Sequence, residues 1–154
     1  MEKKLKRAYG SSSQNAKRVG HEFRIKRVYD APSTEDGFRF LVDRLWPRGI
    51  KRKALADTDW MREVASSPPL RKWFGHDASK WTEFQRRYRV ELDGNAAAWK
   101  PFLEFVQKGN VTLLFAAREV EMNNATVLRD FLNEKNISYN QKEKGTKHGI
   151  TIRR

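Results

Sequence analysis

The sequence has no cysteine, which excludes disulfides, thiolate metal sites and a cysteine nucleophile, and fits a reducing compartment. Histidine is scarce: His21, His76 and His148 form no close pair, so a histidine-based metal site is not expected. No apolar run approaches the roughly eighteen residues needed to span a bilayer, and nothing near the amino terminus has the apolar core of a signal peptide. Neither a Walker motif nor a dinucleotide fingerprint occurs, no internal repeat is visible, and no motif names a cofactor. These absences leave the expectation of a soluble cytoplasmic protein.

A chain of 154 residues is one ordinary domain, long enough to bury roughly 70% of its unfolded surface. Its formal charge of +13 sits largely at the ends: residues 1–22 carry a net +4, residues 135–154 a net +5, and the long stretch 23–134 only +4. Residues 1–22, with a serine run and few large apolar groups, read as a flexible basic arm, and 141–154 as a flexible basic tail, around a single domain at 23–140. Such ends can bind polyanions through counterion release without that being the function of the body.

The body is organised around Phe38 to Gly49, F-R-F-L-V-D-R-L-W-P-R-G. Phe38, Phe40, Leu41 and Val42 form a short apolar run bounded by Asp36-Gly37 and Pro47, which suits a buried strand. Charge follows at once, in Asp43, Arg44 and Arg48 with Trp46 between them. A second segment repeats the design: the strand Val111 to Ala116 is followed by Arg118 and Glu119. Ligand sites of open α/β sheets gather beyond the carboxyl ends of strands, so if these two strands lie side by side and parallel, their trailing charges share one rim.

The remaining elements read as follows. Phe23 to Tyr29 is a less deeply buried strand. A short helix is expected over Thr58–Ala65, and another over Pro68–Phe74, capped by Ser67 with proline at its first position. Trp81, Phe84, Tyr88 and Leu92 recur at helical spacing within Ser79–Leu92, opposite Lys80, Arg86, Arg87 and Arg89. A helix over Asn95–Lys108 begins or kinks at Pro101 and stops at Gly109. Glu121–Lys135 is a last helix, and Ile137 to Asn140 a candidate short strand. The fold class is α/β: one domain, a small mostly parallel sheet with helices packed around it.

Arginine holds carboxylate or phosphate through paired donors, so Arg44, Arg48 and Arg118 near two strand ends make a candidate anion site. The helix start at Glu121–Asn124 would add backbone N–H groups and Asn123 would orient the ligand. Asp43 and Glu119 are acid or base candidates; the bland alternative pairs them with Arg44 and Arg118 as partly buried charges. His76, beside Asp77, is either a general base or part of a local cap. Of the five tryptophans, those at 60, 73, 81 and 99 fit the core, whereas Trp46 sits in the charged turn.

The stretches D-G-F-R-F-L-V-D-R-L-W-P-R-G-I-K, L-R-K-W-F-G-H-D, R-R-Y-R-V-E-L and V-T-L-L-F-A-A-R-E, in this order over residues 24–134, closely resemble the YeaO-like branch of a bacterial domain-of-unknown-function family, DUF488. The resemblance implies a small cytoplasmic α/β protein whose site lies at the D-R-L-W-P-R segment and after V-T-L-L-F-A-A; the family has no assigned reaction. The family pattern has Asp at the position of Glu119, and histidines where Met122 and Asn124 flank Asn123. If those histidines carry chemistry in relatives, the implication for this chain is binding without reaction.

Two functional readings follow. One is a site for a small phosphate- or carboxylate-bearing ligand, with or without hydrolase or transferase chemistry. The other is a nucleic-acid-binding accessory protein using Lys51-Arg52-Lys53, the Arg86-Arg87-Arg89 face and the basic ends. No membrane contact is expected, and the sequence is silent on oligomeric state.

Overall fold

The computed structural model describes residues 20–153, with side chains through Glu143. Four strands form one sheet in the order β1-β4-β2-β3, every neighbouring pair parallel: β1 (Phe23–Arg27), β2 (Phe38–Leu41), β3 (Thr58–Trp60) and β4 (Val111–Phe115). The two most apolar strands take the centre, because only a central strand covered on both faces can bury a continuous apolar run. In β4 every residue is buried, and Phe38 to Leu41 align with Val111 to Leu114. The adjacency of β2 and β4 anticipated from sequence is therefore present.

The four α-helices pack on one face of this sheet: α1 (Pro68–Phe74), α2 (Trp81–Asp93), α3 (Ala96–Lys108) and α4 (Asn124–Arg153). Phe40 and Val42 of the β2 segment and Leu113 and Phe115 of β4 meet Phe84, Phe102, Leu128 and Phe131 there, with Phe40 edge-on to Phe102 at 5.0 Å. Tyr88 is wholly buried among them and its hydroxyl donates to the Val64 carbonyl at 2.7 Å; burial pushes this phenol far above its ordinary range, so it stays a donor. The second face carries a smaller cluster of Val28, Leu41, Leu55 and Leu114, covered by Trp46 and Ile50 from the long β2–β3 connection and by Trp60 of β3.

Two expected elements differ. Thr58–Ala65 is not a helix: Thr58 to Trp60 pair with Arg39 to Leu41 as β3, and a 3-10 turn follows at Arg62–Val64. The β-favouring Thr58 and Trp60 take a free sheet edge, and Trp60 anchors there by donating its indole N–H to the Asp43 carbonyl at 2.8 Å. Ile137 to Asn140 is not a strand but continues α4, and Tyr139 donates to Glu104 of α3 at 2.6 Å. The residues from 141 onward, expected as a tail, continue that helix to Arg153. The expected amino-terminal arm lies largely outside the described residues, but its last two residues belong to the body: His21 Nδ1 lies 3.1 Å from the Val106 carbonyl, and Val111 N–H donates to the Glu22 carbonyl. Pro101 is accommodated inside α3 on its exposed side.

At the amino-terminal end of the strands, Asp36 is buried under Lys26 (2.9 Å), Arg39 (2.6 Å) and the Ser33 N–H (3.0 Å). Gly37 beside it has φ 65° and lies against Asn110, whose carbonyl oxygen would stand 2.2 Å from a Cβ, so only glycine fits this entry to β2. Burial by itself would raise the Asp36 pKa, yet the bonds from Lys26, Ser33 and Arg39 outweigh it and hold the carboxyl below its ordinary value. A lowered folded-state pKa contributes stability that is complete above the unfolded value of 3.8 and is lost as pH falls through the folded value. Asp36→Asn is expected to cost about 3 kcal/mol at neutral pH, because it leaves the buried Arg39 only the exposed Asp57 carboxylate, 3.7 Å away, as counter-charge. In urea titrations the gap to wild type should narrow on acidification below the ordinary carboxylate pKa; a pH-independent gap would contradict this account.

Candidate functional site

A cleft of about 620 Å³ opens at the carboxyl ends of β2 and β4. It is built on the turn from Val42 to Ile50, in which side chains satisfy the backbone carbonyls one after another. Asn124 donates to the Val42 carbonyl (3.1 Å), Trp60 to that of Asp43 (2.8 Å), Tyr29 to that of Arg48 (2.8 Å) and Trp46 to that of Ile50 (2.6 Å). With those groups committed, the turn is held without regular secondary structure, and Arg44 and Arg48 project from a fixed base. The segment after β4 is held likewise by Arg27, which donates to the Ala116 and Ala117 carbonyls at 3.1 and 2.9 Å.

Asp43, Arg44, Trp46, Arg48, His76, Arg118 and Asn123 all line this one cleft. Their local roles differ. Asp43 spans the two strand ends, one carboxylate oxygen accepting the Ala116 N–H at 2.9 Å. Burial raises its pKa above the ordinary value despite that bond, the Asn124 amide and the charges of His76 and Arg71. Arg44 turns toward the Ala65 carbonyl (3.2 Å) and Glu63 (3.7 Å), and its buried Nε has no hydrogen-bond partner among the described residues. Trp46 braces the turn, its ring edge-on to Trp60 at 5.3 Å with the Arg52 guanidinium 4.2 Å from its centroid.

Glu119 is the one expected site residue that the cleft does not include. Its exposed carboxylate accepts the N–H groups of Glu121 (2.9 Å) and Met122 (3.2 Å), so those donors are already taken by the chain itself. Asn123 is buried with both ends of its amide in use, donating to the Glu119 carbonyl at 2.7 Å and accepting from Thr126 N–H at 3.1 Å. It shapes the wall and starts α4. Asp77, not His76, makes the local cap, accepting from Ser79 N–H at 2.9 Å. His76 is exposed at the cleft with φ 58°, in the left-handed region directly after Gly75 at φ 50°.

Arg71 and Lys72 of α1, together with Tyr29, also line the cleft, and sequence reasoning missed them. A signal was present: no carboxylate stands three or four residues from Arg71 or Lys72, whereas Glu83 serves both Arg86 and Arg87. Arg48, Arg71, Lys72 and Arg118 make no side-chain hydrogen bond or ion pair to another described residue and all four are exposed at the cleft. On the helices away from the cleft, Arg89 pairs with Glu134 at 3.0 Å and Lys135 reaches Asp93 at 3.6 Å. Among the described residues no group of three or more metal-ligating side chains occurs.

Comparison with known proteins agrees with the resemblance in sequence. A protein-family model described as the inactive DUF488-N3 subclade matches residues 22–148. The uncharacterized protein YeaO of Escherichia coli K12 is 41% identical over 107 residues, which is 70% of this chain and 93% of YeaO. The uncharacterized proteins Rv3073c of Mycobacterium tuberculosis H37Rv and Mb3100c of Mycobacterium bovis are each 37% identical over 110 residues, 71% of this chain and 92% of theirs. No solved structure matches the chain.

A raised carboxyl pKa means that the folded chain binds more protons than the unfolded one between pH 3.8 and the folded value, so stability rises as pH falls through that window. Asp43→Asn keeps an acceptor for Ala116 N–H and removes the titration. Its stability should lie within about 1 kcal/mol of wild type at neutral pH. Wild type should then gain on the variant as the solution is acidified. Urea midpoints measured across that range check the sign, and a shift in favour of the variant would mean that the surrounding cations, not burial, control Asp43.

Proposed function

This chain belongs to the YeaO-like DUF488 family, and from that membership and the cleft we propose that it binds a small anionic ligand, phosphate- or carboxylate-bearing, without transforming it. The observation that carries this reading is the convergence of four cations without a partner among the described residues, from the β2 turn, α1 and the segment after β4, on a cleft whose lining includes one carboxylate. Cations without counter-charges repel one another, and an anion with several acceptor oxygens relieves that repulsion while using the donors of each guanidinium. Arg48 is the best placed, because its turn is braced by Tyr29 and Trp46 while its own side chain is uncommitted.

The non-catalytic part of the reading draws on two facts. The matching family description is of an inactive subclade, and this chain has Met122 and Asn124 where the resemblance implies histidines. Neither can move a proton near neutral pH. Asp43 and His76 line the cleft, but the Asp43 carboxylate is bonded to the Ala116 N–H across the strand ends, and Glu119, the other acid or base candidate, lies outside the cleft. The nucleic-acid reading gains less support: Arg86 and Arg87 share Glu83, Arg89 is held by Glu134, and Arg52 is seated on Trp46.

A thermal-shift screen of phosphorylated and carboxylated metabolites is expected to yield a ligand that stabilises the wild type and is recovered unchanged by mass spectrometry. Arg48→Ala and Arg118→Ala should each weaken it about tenfold or more, the scale of one charged hydrogen bond. A ligand that stabilises both variants as well as wild type would remove the cleft as its site. Consumption of the ligand would remove the non-catalytic part.

A further inference from the structure

The cleft is larger and greasier than an inorganic anion requires. Its volume of about 620 Å³ lies within the roughly 300–1,000 Å³ of clefts that take drug-sized organic ligands, and would hold about twenty waters at roughly 30 Å³ each. Phe74 and Phe84, stacked at 4.3 Å, line it, and so do Leu45 and Tyr29. Leu45 is 57% exposed and Tyr29 44% exposed, so two of the large apolar side chains left in water among the described residues stand on the same cleft. Scattered exposed apolar groups are ordinary; two lining the same cleft as four cations that have no partner among the described residues point to a ligand surface.

Charge constrains the ligand further. Arg48, Arg71, Lys72 and Arg118 face a single carboxylate, Asp43, which is already tied to Ala116. A monoanion would leave at least two of these cations without a counter-charge. A bare polyanion would leave the Leu45 wall in water, and a neutral apolar molecule would leave every cation unmet.

Resting on the anion-site reading above, we infer that the cleft takes an amphiphilic organic anion of two or more negative charges, of the class of aryl or alkyl phosphate monoesters. The phosphoryl group lies among Arg48, Arg71, Lys72 and Arg118, and the apolar body against Leu45 and the Phe74 wall. Leu45 then sets selectivity for the body and the four cations set affinity for the head.

Calorimetry on the full chain, at one pH and ionic strength, with inorganic phosphate, naphthyl phosphate and naphthoate as probes, tests this. Naphthyl phosphate should bind at least about tenfold tighter than inorganic phosphate, the gain from withdrawing roughly 60 Å² of apolar surface from water. It should also bind tighter than the singly charged naphthoate. Leu45→Ser, at an exposed position where folding is unaffected, should lower naphthyl phosphate affinity at least about threefold and leave inorganic phosphate unchanged. Arg71→Ala should weaken both phosphates. Equal binding of the two phosphates, or of naphthoate and naphthyl phosphate, overturns the inference while the anion site stands; failure of all three probes to bind removes both.

Discussion

The hydrogen bond from Ala116 N–H to the Asp43 carboxylate joins the ends of the two central strands, and the site depends on it. Each strand leaves the sheet at that point, so its backbone groups lose their ladder partners and need others. Asp43 supplies an acceptor across the gap, and its own carbonyl is taken by the Trp60 indole. Asn124, Tyr29 and Trp46 complete the set of donors. The aromatic residues of the turn therefore act mainly as braces. A rigid irregular turn results, and rigidity is what lets uncommitted arginines be presented in fixed directions.

The two ends of the sheet handle charge in opposite ways. At the amino-terminal end Asp36 is surrounded by Lys26 and Arg39, Arg39 also reaches Asp57 at 3.7 Å, and the Thr112 hydroxyl donates to the Asp36 carbonyl at 2.7 Å, so two cations there face two carboxylates. At the carboxyl end cations outnumber the carboxylate, and burial weakens the one negative charge. A matched network stabilises a fold and has nothing left to offer a ligand; an unmatched one costs stability and is retained where something binds. The helix face of Arg86, Arg87 and Arg89 differs from the cleft in that each arginine there has a carboxylate partner, Glu83 for the first two and Glu134 for the third.

Apolar patterning made much of the fold legible. The runs at Phe38–Val42, broken only by Arg39, and at Val111–Phe115, broken only by Thr112, mark central parallel strands, and the spacing of Trp81, Phe84, Tyr88 and Leu92 marks a helix. The errors share one cause. Thr58–Trp60 and Ile137–Asn140 are short and locally ambiguous, and each took the form its neighbours offered: a sheet edge for the first, the flank of α3 for the second. Local preference over three or four residues is worth less than the bonds a tertiary neighbour provides.

The order of residues alone determined that Asp43, Arg44, Arg48 and Arg118 would trail two buried strands, because an apolar run must end where charge begins. It also determined the family, through motifs spread over most of the chain. Only the tertiary structure decided which of these charges are spent and which are free: Glu119 turns back onto its own backbone, Arg44 onto Ala65, while Arg71 and Lys72 arrive from α1, some thirty residues away in sequence. Whether a charge is available is set by the partners that packing brings within about 4 Å, and sequence spacing reveals such partners only along one helix or one strand.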